Sequence, residues 1–214
     1  MAQGVAWCAR RIGVPCAVVV PDGAPRAKLD AIERLGATTI PVPFERWWQV
    51  LVDGTYPDLD GVFVHPVADR AVIAGNGTIG LEILEDLPDC DAILVPFGGG
   101  GLSCGIASAV REVSPRTRVI ACEVETAAPL AAALAAGAPT RIERRASFVD
   151  GIGSSAVLEE MWPLASGLLD GSRTVSLEAV AAAIRRLAGS ARVVAEGAGA
   201  APVAAALAEN APEG

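Results

Sequence analysis

The sequence predicts an α/β protein of two lobes, each with a parallel twisted sheet flanked by helices. Three observations carry this reading. Short apolar runs alternate with helical periodicities along most of the chain, which is the grammar of a parallel sheet with right-handed crossovers. The pattern stops at His65-Pro66 and restarts, dividing a small α/β lobe, residues 1–66, from a larger domain, residues 67–214. Four consecutive glycines, Gly98, Gly99, Gly100 and Gly101, follow the apolar run 92–97 and open a helical stretch at Leu102.

Each element has its own signal. The chain opens in a helical pattern around Val5, Ala6, Cys8 and Ala9, stopped by Gly13-Val14-Pro15. Ala17-Val18-Val19-Val20 reads as a buried strand, and Asp22-Gly23-Ala24-Pro25 turns into a helix with Pro25 near its first position. Leu29, Ile32 and Leu35 share one face of that helix, Asp30 and Arg34 are spaced as an i,i+4 pair, and Gly36 ends it. Thr38-Thr39-Ile40-Pro41-Val42 is a second strand, a short helix surrounds Trp47-Trp48-Gln49-Val50-Leu51, and Val62-Phe63-Val64 is a third strand. In the larger domain, residues 79–87 are helical and 92–97 form a strand. The glycine loop leads into helix 102–113, which Ser114-Pro115 ends. Residues 118–122 form a further strand, followed by an alanine-rich helix from about Ala127, whereas 138–175 are irregular, with strand-like patches and little periodicity. Ser176 caps a helix with Glu178 in its first turn and Val180, Ile184 and Leu187 on one face, and Glu196-Gly197-Ala198-Gly199-Ala200 opens an alanine-rich closing helix.

Bulk composition narrows the function. With 52% hydrophobic but only 4% aromatic residues, the core is built from Ala, Val, Leu and Ile. A net charge of −8 argues against a reader of DNA or RNA, which wants a basic face. Cys8, Cys16, Cys90, Cys104 and Cys122 form no CxxC pair and His65 is the single histidine, which argues against a Cys/His zinc site and for a reducing, cytoplasmic setting. Met-Ala-Gln-Gly-Val shows no signal-peptide pattern, and the alanine-rich stretch between Pro129 and Pro139 is too short to span a bilayer.

The chemistry-bearing motif is the glycine loop. Four residues without Cβ let backbone N–H groups close on a ligand at the positive end of the following helix, the requirement for holding a phosphate; its plainer reading is a tight strand–helix turn. Gly75-Asn76-Gly77-Thr78-Ile79-Gly80 satisfies G-x-G-x-x-G, but the polar, turn-like stretch before it is not the strand a dinucleotide loop needs. Neither a P-loop nor a G-x-S-x-G elbow is present. Glu196 reads as a helix-capping acid or a site acid, Asp150-Gly151 as a turn, His65 as a loop residue, and Glu159-Glu160 as a solvated face.

In order, these pieces resemble the threonine/serine dehydratases and serine racemases, pyridoxal-phosphate enzymes of the tryptophan-synthase-β fold type (fold type II). Ala2-Gln3-Gly4-Val5-Ala6 is similar to the tail of the family's S-x-G-N-H-x-x-G-V-A segment, with Met1 where its histidine falls. His65-Pro66 and Ile73-Ala74-Gly75-Asn76-Gly77-Thr78-Ile79-Gly80-Leu81-Glu82-Ile83 match its most recognisable stretch, with asparagine for the usual glutamine. Gly98 to Leu102 match the cofactor phosphate loop, where related cysteine synthases carry a threonine, so the dehydratase branch is favoured. Val149-Asp150-Gly151-Ile152 and Glu196-Gly197-Ala198-Gly199-Ala200 match segments that approach the pyridine ring.

The resemblance implies pyridoxal 5′-phosphate as cofactor, with Gly98, Gly99, Gly100, Gly101 and Leu102 on its phosphate, Gly151 and Glu196 near its ring, and Asn76 close by. It implies a small amino acid, L-threonine or L-serine, losing its β-hydroxyl to give a 2-oxo acid and ammonia. The family's Schiff-base lysine lies before the first matched segment, and Lys28, the only lysine here, opens a lobe helix away from that position in the family pattern. The expectation is therefore an incomplete member, truncated at both ends, with no catalytic lysine and no dehydratase activity alone. Racemase-like members hold a divalent cation; Glu123 and Ala127 match two of its ligands, while Pro129 stands where the second acid belongs. The alternatives are a non-catalytic module binding pyridoxal phosphate or another phosphorylated ligand, and a serine-racemase-like fragment. Uncovered sheet edges predict a homo-oligomer or self-association, with neither nucleic acid nor membrane as partner.

Overall fold

The computed structural model describes residues 1–57 and 59–209, and the chain divides into two units, Met1–Pro66 and Val67–Gly214. The first unit contains α1 (Ala2–Ile12), β1 (Ala17–Pro21), α2 (Arg26–Arg34), β2 (Thr38–Val42) and α3 (Phe44–Asp53). β1 and β2 pair in parallel, from Ala17 opposite Thr38 to Pro21 opposite Val42. Gly13 ends α1 in the left-handed conformation, φ 73°, its N–H returning to the Ala9 carbonyl. Ala6, Ile32 and Ala37 bury a small core with Cys16, Val18 and Leu35 packed on it.

Pro25, the N-cap of α2, stands next to its first position as read. Two local expectations change here. Asp30 is taken by Arg26 at 2.7 Å instead of by Arg34; the pair is exposed and adds little stability. Val62-Phe63-Val64 forms no strand among the described residues: Val62 is 93% exposed, and an apolar triplet becomes a strand only beside a ladder partner. His65 is buried and tethered, its Nε2 lying 2.9 Å from the Leu51 carbonyl oxygen.

The second unit contains α4 (Arg70–Asp86), β3 (Ala92–Pro96), α5 (Gly101–Val113), β4 (Arg118–Val124), α6 (Pro129–Ala136), α7 (Trp162–Leu168), β5 (Ser172–Val175), α8 (Leu177–Arg186) and α9 (Gly197–Glu209). Its sheet runs β3-β4-β5, all parallel. The central strand β4 is buried from Val119 to Val124, as a strand covered on both faces must be. Cys122, Val124, Val149, Ile152, Val175, Val180 and the alanines of α9 form one apolar cluster beside it.

Helix α4 begins at Arg70, well before the predicted Ile79, because the Asp69 side chain caps it, accepting from the N–H groups of Ala71 (2.8 Å) and Val72 (3.2 Å). The whole G-x-G-x-x-G stretch is therefore helix interior. Its glycines allow close packing on α5: a Cβ on Gly77 would stand 3.0 Å from the Gly105 carbonyl oxygen, and one on Gly105 only 2.4 Å from that of Ile73. Within the aperiodic stretch 138–175 the chain makes α7 and β5, and pins its irregular part through Ile142 N–H to Ser155 O (2.8 Å) and Arg145 N–H to Thr126 O (2.9 Å). Ser176 caps α8 as read, its Oγ accepting from Ala179 N–H at 3.1 Å, and a π-helical turn over Leu187–Ala191 follows. Among the described residues no helix is long and apolar enough to cross a membrane.

Candidate functional site

β3 delivers the chain to the glycine loop. Phe97, fully buried, donates its N–H to the Cys122 carbonyl at 2.9 Å and carries the ladder one residue past the strand. Gly100, φ 98°, then caps α5 in the left-handed conformation that favours glycine. A Cβ on Gly99 would meet Val67 Cγ2 at 2.6 Å, and one on Gly101 the Val67 carbonyl oxygen at 2.6 Å, so bare backbone is required there. Cys104 N–H closes the first turn on Gly100 O at 2.8 Å. Among the described residues, no hydrogen bond uses the N–H groups of Gly98, Gly99, Gly100, Gly101, Leu102 or Ser103. Consecutive uncommitted donors, several of them buried, at the positive end of a helix form a cradle for an anion.

A second loop closes on this one. A Cβ on Gly98 would lie 3.4 Å from Ile152 Cα, and the Ser154 hydroxyl lies 3.0 Å from Gly98 O and 2.9 Å from Ala156 O, the acceptors for its single proton. Next to Ile152, a Cβ on Gly151 would stand 2.7 Å from Glu196 Oε1 and 2.9 Å from Ala198 Cβ. A Cβ on Gly197 would fall 2.8 Å from Val149 Cγ2. Gly98 to Leu102, Gly151 and Glu196 are thus neighbours beyond the carboxyl end of β3, the place where open α/β sheets bind ligands. Asn76 lies inside α4 with its Cβ 2.9 Å from where a Cβ on Gly105 would be, one turn along α5 from the loop. Ser154 and Val67 were not singled out from the sequence; a serine after a turn dipeptide carries no periodic signal, and Val67 acts only through its shape.

Glu123 is fully buried on β4. Its carboxylate accepts from the N–H groups of Leu130 and Ala131, both at 2.8 Å, and from Ser172 Oγ at 2.6 Å. Burial pushes its carboxyl above the ordinary range, against the pull of these three donors. It caps α6, whose first residue, Pro129, offers no side-chain oxygen. The described residues contain no group of three or more His, Cys, Asp or Glu able to hold a metal ion. Donors already face both carboxylate oxygens, so the arrangement around Glu123 and Ala127 does not fit a divalent cation. Lys28 lies in the first turn of α2, its N–H bonded to Pro25 O at 2.9 Å. Cys104, buried behind the glycine loop, has its thiol pushed up to about 12 by burial, which keeps it protonated.

Comparison with known proteins gives the chain's family. The family model for pyridoxal-phosphate-dependent enzymes matches residues 1–214. An L-threonine ammonia-lyase of Thermotoga maritima is 38% identical over 218 residues, covering 96% of this chain and 52% of that protein. Among solved structures, maize serine racemase superposes with a TM-score of 0.85 at 30% identity, covering 98% of this chain and 64% of the other. The processed form of threonine deaminase isoform 2 from Solanum lycopersicum does so with a TM-score of 0.83 at 31% identity, covering 97% and 61%. The chain spans about half the length of the curated relatives it matches first. With its parallel sheets, its glycine cradle and these relatives, the chain belongs to the pyridoxal-phosphate-dependent enzymes of fold type II, and it is similar to threonine ammonia-lyases and serine racemases.

Proposed function

We propose that this chain carries the cofactor-binding part of a cytoplasmic ammonia-lyase that converts L-threonine or L-serine to a 2-oxo acid and ammonia. The observation that supports it most is the run of uncommitted N–H groups from Gly98 to Ser103 at the start of α5. Those donors would hold the cofactor's phosphate dianion by helix dipole and hydrogen bonds. Gly151 lets Glu196 and Ala198 close on the backbone beside the cradle, and the Glu196 carboxylate would lie near that cofactor's ring. When bound, pyridoxal phosphate supplies the electron sink that weakens the bonds at the amino acid's Cα. The residues here bind and orient it.

In the family a lysine moves the proton at Cα, and the only lysine of this sequence, Lys28, lies in the first turn of α2 at a position that matches no catalytic residue of the family. By itself the 214-residue chain is therefore expected to bind the cofactor and turn over neither amino acid. A serine-racemase-like activity of the whole protein is the second reading, supported by a serine racemase of Oryza sativa subsp. indica at 32% identity. Self-association is proposed as well, from the edge strands of the β1-β2 and β3-β4-β5 sheets; light scattering over a concentration series tests it.

The test of the main reading is a titration of the chain with pyridoxal 5′-phosphate, followed by borohydride reduction and peptide mapping, then assays for 2-oxo acid and for D-serine. Saturable binding, no cofactor on Lys28 and no turnover are expected. Turnover of threonine that disappears in Lys28→Ala would overturn the proposed division of labour.

A further inference from the structure

We infer that Ser154 is a positioning residue for the anion cradle: it fixes the Gly98 carbonyl and, through that peptide, the direction of the Gly99 N–H. The inference rests on the phosphate-loop reading of Gly98 to Leu102. Ser154 is 8% exposed, on a loop whose Ile152 packs against Gly98. Its Oγ stands 3.0 Å from the Gly98 carbonyl oxygen, which lies 56 residues earlier in the chain. In a planar trans peptide the C=O of one residue and the N–H of the next point to opposite sides. Holding the Gly98 carbonyl toward Ser154 therefore turns the Gly99 N–H away from Ser154.

This tether compensates for what the glycines give away. Glycine has the widest choice of backbone conformations, so a run of four holds its donors in no fixed direction unless something outside it does. Val67 limits Gly99 and Gly101 by shape, and the Phe97 ring lies 3.2 Å from a Cβ position on Gly100. Gly98 is held instead through the Ser154 hydroxyl, whose one proton the Gly98 carbonyl shares with that of Ala156 at 2.9 Å. The same loop carries Gly151, which touches Glu196, so Ser154 also sets the distance between the phosphate end and the ring end of the site.

The test compares pyridoxine 5′-phosphate with pyridoxine, two alcohols that differ in the phosphate alone and form no covalent bond with amines. Saturable binding of pyridoxine 5′-phosphate to the unmodified chain is required first; its absence overturns the phosphate-loop reading itself. With binding in hand, Ser154→Ala is expected to lower the preference for the phosphorylated ligand about tenfold, and Ser154→Thr, which keeps the hydroxyl, to restore most of it. An equal loss for both ligands, or an unchanged preference in a folded Ser154→Ala protein, overturns the role given to Ser154. Should Ser154→Ala not fold, titrating the unmodified chain with inorganic phosphate decides the matter by amide NMR. The Gly99 N–H resonance is expected to move downfield among those of the loop, and a Gly99 amide left unmoved while its neighbours shift overturns the inference.

Discussion

Glu196 Oε1 lies 2.7 Å from where a Cβ on Gly151 would be, so the acid and the glycine define each other's position. The carboxylate end is flexible, but Ala198 Cβ stands 2.9 Å from the same point and has no rotamer to escape into. Gly151→Ala must therefore displace backbone at the start of α9. The variant is expected to fold and to bind pyridoxal 5′-phosphate about tenfold more weakly, a change of about 1.4 kcal/mol. Absorbance titration beside a thermal melt checks it, and undiminished affinity would separate Gly151 from the site.

The α4–α5 seam gives a contrast between glycines. A Cβ on Gly105 would fall 2.4 Å from the Ile73 carbonyl oxygen, whereas nothing lies within 4 Å of one on Gly75. Gly105→Ala is expected to destabilise the protein by about 1–3 kcal/mol through forced separation of the helices. Gly75→Ala, in an open helical position, is expected to stabilise it by about 0.5–1 kcal/mol. Urea midpoints of the two variants decide; equal shifts would mean the helices are not in this close contact.

Glu123 gives stability a pH dependence of known sign. Burial raises its folded-state pKa above the unfolded carboxylate value of about 4.3, so between the two the native state holds a proton the unfolded state has lost. Its contribution to stability therefore falls as pH rises from about 4.3 towards the folded value, and levels off above it. Glu123→Gln does not titrate, and its amide must turn an N–H₂ towards the N–H or hydroxyl donors that face the carboxylate, costing about 1–3 kcal/mol. The stability advantage of the unmodified chain over Glu123→Gln should shrink across that window. Denaturation curves from pH 4 to 8 measure it, and an advantage that grows with pH would reverse the assignment.

What the sequence made legible follows from where physics leaves a local trace. The strand before the glycine loop, the Ser176 cap and the left-handed Gly13 each follow from a few adjacent residues, and the structure has them in place. The helical pattern begins at Ile79 whereas α4 begins at Arg70, although Asp69 announces it, because Gly75 and Gly77 break the pattern until α5 is there to be packed against. β5, among the strand-like patches of 138–175, is not located by sequence for a different reason. Ser172-Arg173-Thr174-Val175 has one apolar residue, and pairing with β4 makes it a strand. The glycine loop was visible from composition alone, but its tie to Ser154 is a contact between distant segments that no spacing encodes.

Cys104 offers a reporter for the cradle. It sits in the first turns of α5, fully buried, with a thiol at about 12, so at pH 8 roughly one molecule in ten thousand carries the reactive thiolate even before access is counted. Cys8 is exposed. Under native conditions a thiol reagent should therefore modify Cys8 within minutes and leave Cys104 to react only through opening of α5. An anion on the N–H groups ahead of Cys104 stabilises the closed helix by RT ln(1 + [L]/Kd), so phosphate at a hundred times its Kd should slow the Cys104 reaction about a hundredfold. Cys8 provides the internal control, since its rate should not change. Mass spectrometry of the labelled peptides follows both sites at once, and a Cys104 rate that ignores phosphate would mean that the donors of Gly98 to Ser103 bind no anion in this chain.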